Sequence, residues 1–285
     1  MTGRIEYARE NWPDILDVCY ELNDSFCSEQ TPFQAMKLVE TKRFGRMLLL
    51  DGKVQTTEKD EFIYHEMMSH VPIILHGAAR KVLIIGGGDG GILRETLRHP
   101  GVEKVTMVEI DERVIEFSRR HLPSISNGAF EDPRAEVVID DGAKFVAAAK
   151  EKYDVVIVDS PDPIGPATVL FTKEFYLNVA NCMAQCGIMT RQCGSTWMQP
   201  DELPAAYDIG KSIFTHNTAY VFAVPTYIGG LFCSLLCSNG TDYKNVNLAT
   251  LEKRFETING QTDYYNPGVH FGAFALPGYV KEKLA

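Results

Sequence analysis

Two carboxylates three residues apart, Asp159 and Asp162, sit in the stretch Asp159-Ser160-Pro161-Asp162-Pro163-Ile164-Gly165-Pro166. Its three prolines restrict the backbone, so the acids are held rather than floating. A free amine has a pKa near ~10.4 and must lose a proton before it can attack a carbon, and one such carboxylate can take that proton. The plainer reading of Asp162 is a turn or helix cap. A second chemistry-bearing stretch is Gly86-Gly87-Gly88-Asp89-Gly90-Gly91, in which Gly86, Gly88 and Gly91 satisfy G-x-G-x-x-G. Glycines there let the backbone turn sharply and approach a ligand closely.

Further acids follow at regular places. Glu109 lies where an acid accepts hydrogen bonds from ribose hydroxyls. Asp111 is the rival for that role, but it reads better as the N-cap of the next helix. In Asp140-Asp141-Gly142 one acid is expected to bind ligand, as an acceptor for an adenine amino group; the alternative is that Asp140 or Asp141 merely caps a helix. Asp89 is the odd residue of the glycine loop. A phosphate cradle wants N–H groups and positive charge, and a carboxylate repels pyrophosphate. This disfavours a dinucleotide enzyme and suits a nucleoside whose other end is cationic, such as a sulfonium nucleoside. Asp89, Glu109, Asp141, Asp159 and Asp162 together place negative charge at one sheet edge, where a polyamine's spaced ammonium groups would be held.

Positioning these residues requires strands that end at them. Lys81–Ile85 is a continuous apolar run, the pattern of a strand buried on both faces. Strands are also predicted at 104–110, 135–139, 153–158, 187–192, 220–224 and 231–237, with helices between them up to 213. The last two strands are separated by too few residues for a helical crossover and should be antiparallel neighbours. This is an α/β pattern: a Rossmann-like, methyltransferase-type doubly wound sheet. Ahead of it, 34–40, 45–50 and 53–57 read as strands, with Asp51-Gly52 as a hairpin turn. A helix is expected over 60–74, ended or kinked by Pro72. Residues 1–30 carry no readable pattern. The division expected is a small N-terminal β-domain with its connecting helix at 1–75, then the catalytic domain at 76–285.

Composition narrows the function classes. The 285 residues are 45% hydrophobic and 23% charged, which fits a globular protein and excludes a disordered chain. The formal net charge of −10 argues against nucleic acid and acidic membrane surfaces as partners. No apolar run reaches membrane-spanning length, and the N-terminus has no signal-peptide core, so a cytoplasmic location is expected. The seven cysteines are odd in number and lack metal-site spacing; they read as reduced, buried small hydrophobes. Trp197 is expected in the interior. No metal site is expected.

Taken together, VLIIGGGDGG (82–91), VEID (108–111), DDG (140–142), DSPDPIGP (159–166), VQTTEKDEFIYHEM (54–67), PTYIGG (225–230) and YYNPGVHFGAFALP (264–277) resemble the polyamine aminopropyltransferases, the spermidine synthase group in particular. The resemblance spans about 31 to 276. It implies transfer of the aminopropyl group of decarboxylated S-adenosylmethionine to putrescine, giving spermidine and 5′-methylthioadenosine. The donor is then a co-substrate, with no separate cofactor, and the assembly a homodimer or homotetramer.

By the same resemblance Asp159 is the proton acceptor and Asp162 holds the diamine, with Ser160 and Pro161 between them. Asp89 binds the amino end of the donor, Glu109 its ribose, and Asp141 and Gly142 its adenine, against which Pro166 packs. Gln34, Gly86 and Gly88 belong to the nucleoside side, whereas Gln55, Tyr64, His65 and Tyr227 line the amine channel. Two departures stand out. Ser160-Pro161 replaces the family's usual Ser-Ser or Ser-Thr, and Arg191-Gln192-Cys193-Gly194-Ser195-Thr196-Trp197 stands where many relatives have Gln-Gly-Glu-Ser, so an expected acid is missing. Both regions shape the far end of the acceptor pocket, which leaves cadaverine, agmatine and spermidine open as acceptors. The competing readings are an amine N-methyltransferase using intact S-adenosylmethionine and a non-catalytic polyamine binder.

Overall fold

The computed structural model describes residues 5–161, 165–240 and 242–285, with the backbone alone at 165, 166 and 244. The chain begins with strands β1 (Tyr7–Trp12), β2 (Leu16–Gln30), β3 (Ala35–Thr41), β4 (Gly45–Leu50) and β5 (Lys53–Thr57). They form one antiparallel sheet in sequence order. The β4–β5 connection is the expected tight hairpin: Asp51 and Gly52 both take left-handed φ, 47° and 77°, as a type I′ turn demands. Within the unreadable first 30 residues, 7–12 form β1 and 16–30 form the whole of β2. Of the fifteen residues of β2 only Tyr20 is buried, so no alternation marks the strand.

Helix α1 (Glu61–His76) joins the two sheets. Pro72 neither ends nor visibly interrupts it; the helix runs four residues further and stops at Gly77, whose N–H reaches the Ile73 carbonyl at 2.9 Å. Met67, Met68, Val71, Ile73 and Ile74 are all buried, and this packing offsets the lost backbone hydrogen bond.

The second sheet follows as β6 (Lys81–Gly86), α2 (Gly91–Leu97), β7 (Lys104–Glu109), α3 (Glu112–His121), the short α4 (Pro123–Ser126), β8 (Ala135–Ile139), α5 (Gly142–Ala148), β9 (Tyr153–Asp159), α6 (Lys173–Cys182), β10 (Met183–Ser195), α7 (Glu202–Lys211), β11 (His216–Ala223) and β12 (Leu231–Ser238). Helices α8 (Leu248–Phe255), α9 (Pro267–Ala273) and α10 (Gly278–Lys283) close the chain. The strand order is β11-β12-β10-β9-β6-β7-β8. Strands β10, β9, β6, β7 and β8 are parallel, and β12 and β11 are antiparallel, as their short connection requires. This is the Rossmann-like, methyltransferase-type sheet. β6 and β9 lie side by side at its centre, and Val82 to Ile85 and Val155 to Val158 are all at most 2% exposed. Their carboxyl ends, Gly86 and Asp159, stand in register.

Two expectations fail. Trp197 is 70% exposed, its ring edge-on to Tyr279 in the turn after β10. All seven cysteines are free, but only Cys182, Cys193, Cys233 and Cys237 are buried; Cys27 is half-buried and Cys19 and Cys186 are exposed. Among the described residues no helix is long and apolar enough to cross a membrane.

The N-terminal sheet is fastened to the larger one by an apolar patch, in which Met36, Leu38, Leu48 and Leu50 meet Val114, Phe117, Leu122 and Ile125. Tyr20 also donates to the Thr226 carbonyl at 3.0 Å. In the second turn of α1, buried Glu66 accepts the backbone N–H groups of Asp263, Tyr264 and Tyr265 at 2.8, 2.9 and 2.6 Å and so docks the C-terminal segment. Glu66→Ala strands three donors; it is expected to lower unfolding stability by about 3 kcal/mol in urea titration, with Glu66→Gln intermediate. Equal stability of all three proteins would refute this anchoring role.

Candidate active site

A cavity of about 370 Å³ opens at the carboxyl ends of β6, β7, β8 and β9, roofed by the N-terminal sheet and α1. The nucleoside-side residues Gln34, Gly86, Gly88, Glu109, Asp141 and Gly142 all line it. So do Asp89 and Asp159, and on the amine side Gln55, Tyr64, His65, Ser160, Pro161 and Tyr227. Asp162 lies outside the described residues, as does the side chain of Pro166.

The glycine loop works by contact distance. Gly86 has φ +86°, and a Cβ there would lie 1.9 Å from the Asp159 carbonyl oxygen. Only glycine permits β6 to turn directly beside the residue that carries the candidate base. Gly91 opens α2, and a Cβ on it would sit 2.1 Å from His65 Nδ1.

Glu109 ends β7 with one oxygen accepting the Asp111 N–H at 2.9 Å. Burial raises its carboxyl to about 7 despite that hydrogen bond. Asp111 caps α3 through the Arg113 N–H at 3.1 Å, as expected, and its other oxygen accepts from Thr31 Oγ1 at 2.7 Å and Gln34 Nε2 at 3.1 Å. Gln34 is thereby tied from the N-terminal sheet to the rim of the nucleoside side. Asp141 caps α5, accepting from the Ala143 N–H at 2.9 Å. The capping reading therefore holds for it, and it lines the cavity as well.

Two carboxylates dominate the centre and are treated differently. Asp159, at the end of β9, accepts a hydrogen bond from Tyr64 Oη at 2.5 Å. Burial, then the charge of Asp89, pushes it up to about 6, against the pull of Tyr64 and His65. Asp89 is opposed by the same burial, yet His65, the Gly91 N–H and Arg94 together outweigh it and hold the carboxyl below the usual range. His65 Nε2 lies 3.2 Å from Asp89 and Nδ1 2.5 Å from Glu61. Both ring nitrogens are thus committed to carboxylates, and His65 faces the cavity as the partner of Asp89 rather than as a free amine ligand.

Aromatic rings form the amine-side wall. Tyr64 meets Tyr227 and Phe232 edge-on at 5.4 and 5.7 Å, and Tyr227 Oη donates to the Gln55 carbonyl at 2.7 Å. The Pro225–Tyr227 segment is fixed by buried Asp60, which accepts the Thr226 N–H at 2.8 Å. Several lining residues had no signal in the sequence. Glu10 and Trp12 reach the cavity from β1, in the stretch that showed no pattern. Lys53 Nζ lies over the Trp12 ring at 3.7 Å. Gln192, in the departing segment after the fifth predicted strand, bridges the Ser160 carbonyl and the Gly194 N–H, both at 2.8 Å. Glu61 had a findable signal: it stands four residues before His65 on one helix, the spacing at which side chains meet. Among the described residues no group of three or more His, Cys, Asp or Glu side chains is placed to hold a metal ion.

Comparison with known proteins identifies the family. The model of the spermine/spermidine synthase domain matches residues 61–248, and that of the spermidine synthase tetramerisation domain matches residues 8–58. The chain is 50% identical over 261 residues to a polyamine aminopropyltransferase of Ruegeria sp. (strain TM1040), covering 92% of each. It is 46% identical over 265 residues to polyamine aminopropyltransferase 1 of Pseudomonas aeruginosa, covering 93% of each. Among solved structures it superimposes on a spermidine synthase in complex with the transition-state analogue AdoDATO with a TM-score of 0.93, at 37% identity, covering 98% of this chain and 94% of that one. For spermidine synthase from Thermotoga maritima the TM-score is 0.90, at 36% identity and the same coverage. With a part-buried carboxylate pair at the centre of its sheet edge and these relatives along nearly its whole length, the chain belongs to the spermine/spermidine synthase family and is a transferase enzyme.

Proposed function

We propose that this enzyme transfers the aminopropyl group of decarboxylated S-adenosylmethionine to putrescine, releasing spermidine and 5′-methylthioadenosine. The observation that carries the reading is the pair Asp159 and Asp89 lining one cavity, the first pushed up to about 6 by burial and the charge of Asp89, the second held below the usual carboxylate range beside His65. The nucleoside lies across Gly86, Gly88 and Gly142, with its ribose on Glu109 and its adenine towards Asp141. Asp89 takes the donor's terminal ammonium. The acceptor lies along Tyr64, Gln55 and Tyr227, with its far ammonium towards Glu10, a buried acid at the opposite end.

The chemistry is an in-line displacement. The amine nitrogen's lone pair forms the new N–C bond while the C–S bond breaks, and its electrons return to sulfur as a neutral thioether. The nitrogen's surplus proton goes to Asp159. Residues of the cavity supply alignment, proton removal and exclusion of water. Intact S-adenosylmethionine carries a carboxylate where Asp89 would meet it, which disfavours the methyltransferase alternative. Oligomerisation, as a homotetramer or homodimer, is supported by the matched tetramerisation model and by Tyr7, Ile15, Leu16 and Phe26 exposed on β1, β2 and the turn between them.

The direct test is mass spectrometry of products from intact or decarboxylated donor with an amine panel. Spermidine from decarboxylated donor and putrescine is expected; consumption of intact donor alone would refute the reading. Asp159→Asn should lower kcat by about 10²- to 10⁴-fold, with 5′-methylthioadenosine binding preserved by calorimetry. Loss of binding in proportion to rate would remove the proton-acceptor role. The pH dependence follows from the sign of the shift. The carboxylate is the active form, so kcat/KM should rise with pH through a limb near 6. Tyr64→Phe removes a donor that favours the carboxylate, so the limb should move to higher pH; an unmoved or lowered limb contradicts the assignment.

A further inference from the structure

We propose that Glu61 and Arg94 are positioning residues which, acting through His65, hold Asp89 as an oriented anion facing the substrate cavity. The four side chains form a chain of alternating charge running inward from α2. Arg94 grips Glu61 with both terminal nitrogens, Nη1 on Oε1 and Nη2 on Oε2, each at 2.9 Å. Glu61 Oε2 meets His65 Nδ1 at 2.5 Å, and His65 Nε2 meets Asp89 Oδ2 at 3.2 Å. Asp89 Oδ1 accepts the Gly91 N–H at 2.9 Å, so both carboxylate oxygens are fixed. The His65 ring is only 2% exposed, and the missing Cβ of Gly91 is what gives it room.

A bidentate guanidinium fixes the plane of the Glu61 carboxylate. That carboxylate then fixes the ring and keeps a proton on Nδ1. Nε2 is left to donate to Asp89, the arrangement by which an outer carboxylate orients an imidazole. The charged and titratable groups around the ring are Glu61 and Tyr64 from α1, Asp89 from the glycine loop, Arg94 from α2 and Asp159 at the end of β9. Burial alone would drive His65 towards neutrality, but Asp89 and Glu61 overcome it and hold the imidazolium up to about 10. With His65 charged, Asp89 stays ionised in a pocket where burial opposes it.

The consequence for substrate handling rests on the reading that Asp89 takes the donor's ammonium. The test separates the two. His65 is titrated by the Cε1–H NMR signal in the ligand-free protein, wild type and Glu61→Gln, and the KM of each substrate is measured at pH 8.5. The wild-type midpoint should lie far above the ordinary ~6.5. In Glu61→Gln it should fall by about one unit or more, the donor KM should rise about tenfold, and the acceptor KM should stay within about twofold. Glu61→Asp should restore part of both effects. A wild-type midpoint near 6.5, or an unchanged midpoint in Glu61→Gln, overturns the relay; the wild-type titration decides this even if the variant does not fold. Equal rises in both KM values with a lowered midpoint would leave His65 charged by Glu61 but overturn its action through Asp89. Absence of any turnover with decarboxylated donor would instead count against the functional reading and leave the titration to judge the relay.

Discussion

Two carboxylates set close together and largely shielded from water cannot both be cheaply ionised, and this constraint organises the site. Asp159 ends β9 and Asp89 lies in the loop after the neighbouring β6, and the charge of Asp89 raises the cost of ionising Asp159. Consecutive residues of one helix resolve the conflict. His65 supplies a cation to Asp89, and Tyr64 supplies a neutral donor to Asp159. One acid is thereby locked as an anion, while the other is poised near neutrality and can accept a proton. Paired groups whose environments push them apart are the usual way one site acquires two roles from one residue type.

Much of the remaining structure keeps that arrangement in place. The central strands bring Gly86 and Asp159 into register, and a side chain at Gly86 would collide with the Asp159 carbonyl. Helix α1 must present Tyr64 and His65 at a fixed depth, and it is held on either side of them. Asp60 accepts from Thr57 and Thr226 at its start, and Glu66 gathers the C-terminal segment one turn on. The N-terminal sheet closes the cavity with Gln34, Gln55, Glu10 and Trp12. Its apolar attachment to α3 and α4 therefore helps to set the shape of the cavity.

What could be read in the sequence follows from where each residue's partners lie. Val82 to Ile85 announced a strand because burial on both faces leaves a continuous apolar run. Asp51-Gly52 announced a hairpin because few residue pairs tolerate two left-handed conformations. The acids at strand ends were legible because a doubly wound sheet places its ligands there. β2 was not, since a strand with a single buried residue carries no periodicity, and β1 was not, since the buried face of its alternation is only Ala8 and the charged Glu10. Glu10, Trp12 and Gln192 reach the cavity only through tertiary packing. Pro72 misled for a related reason: local chemistry argued for a break, and full burial of the helix on either side prevented it. For His65 the sequence reading placed the residue on the amine channel without its carboxylate partners. Proximity of Glu61 in sequence and of Asp89 in space makes it an ion-pair centre.

The central claim is the unequal ionisation of the two acids, and carboxyl ¹³C NMR titration of aspartate-labelled, ligand-free protein measures it directly. Asp159 should show a midpoint near 6 and Asp89 one below the ordinary carboxylate range. Coincident midpoints, or Asp89 titrating above Asp159, would contradict the account.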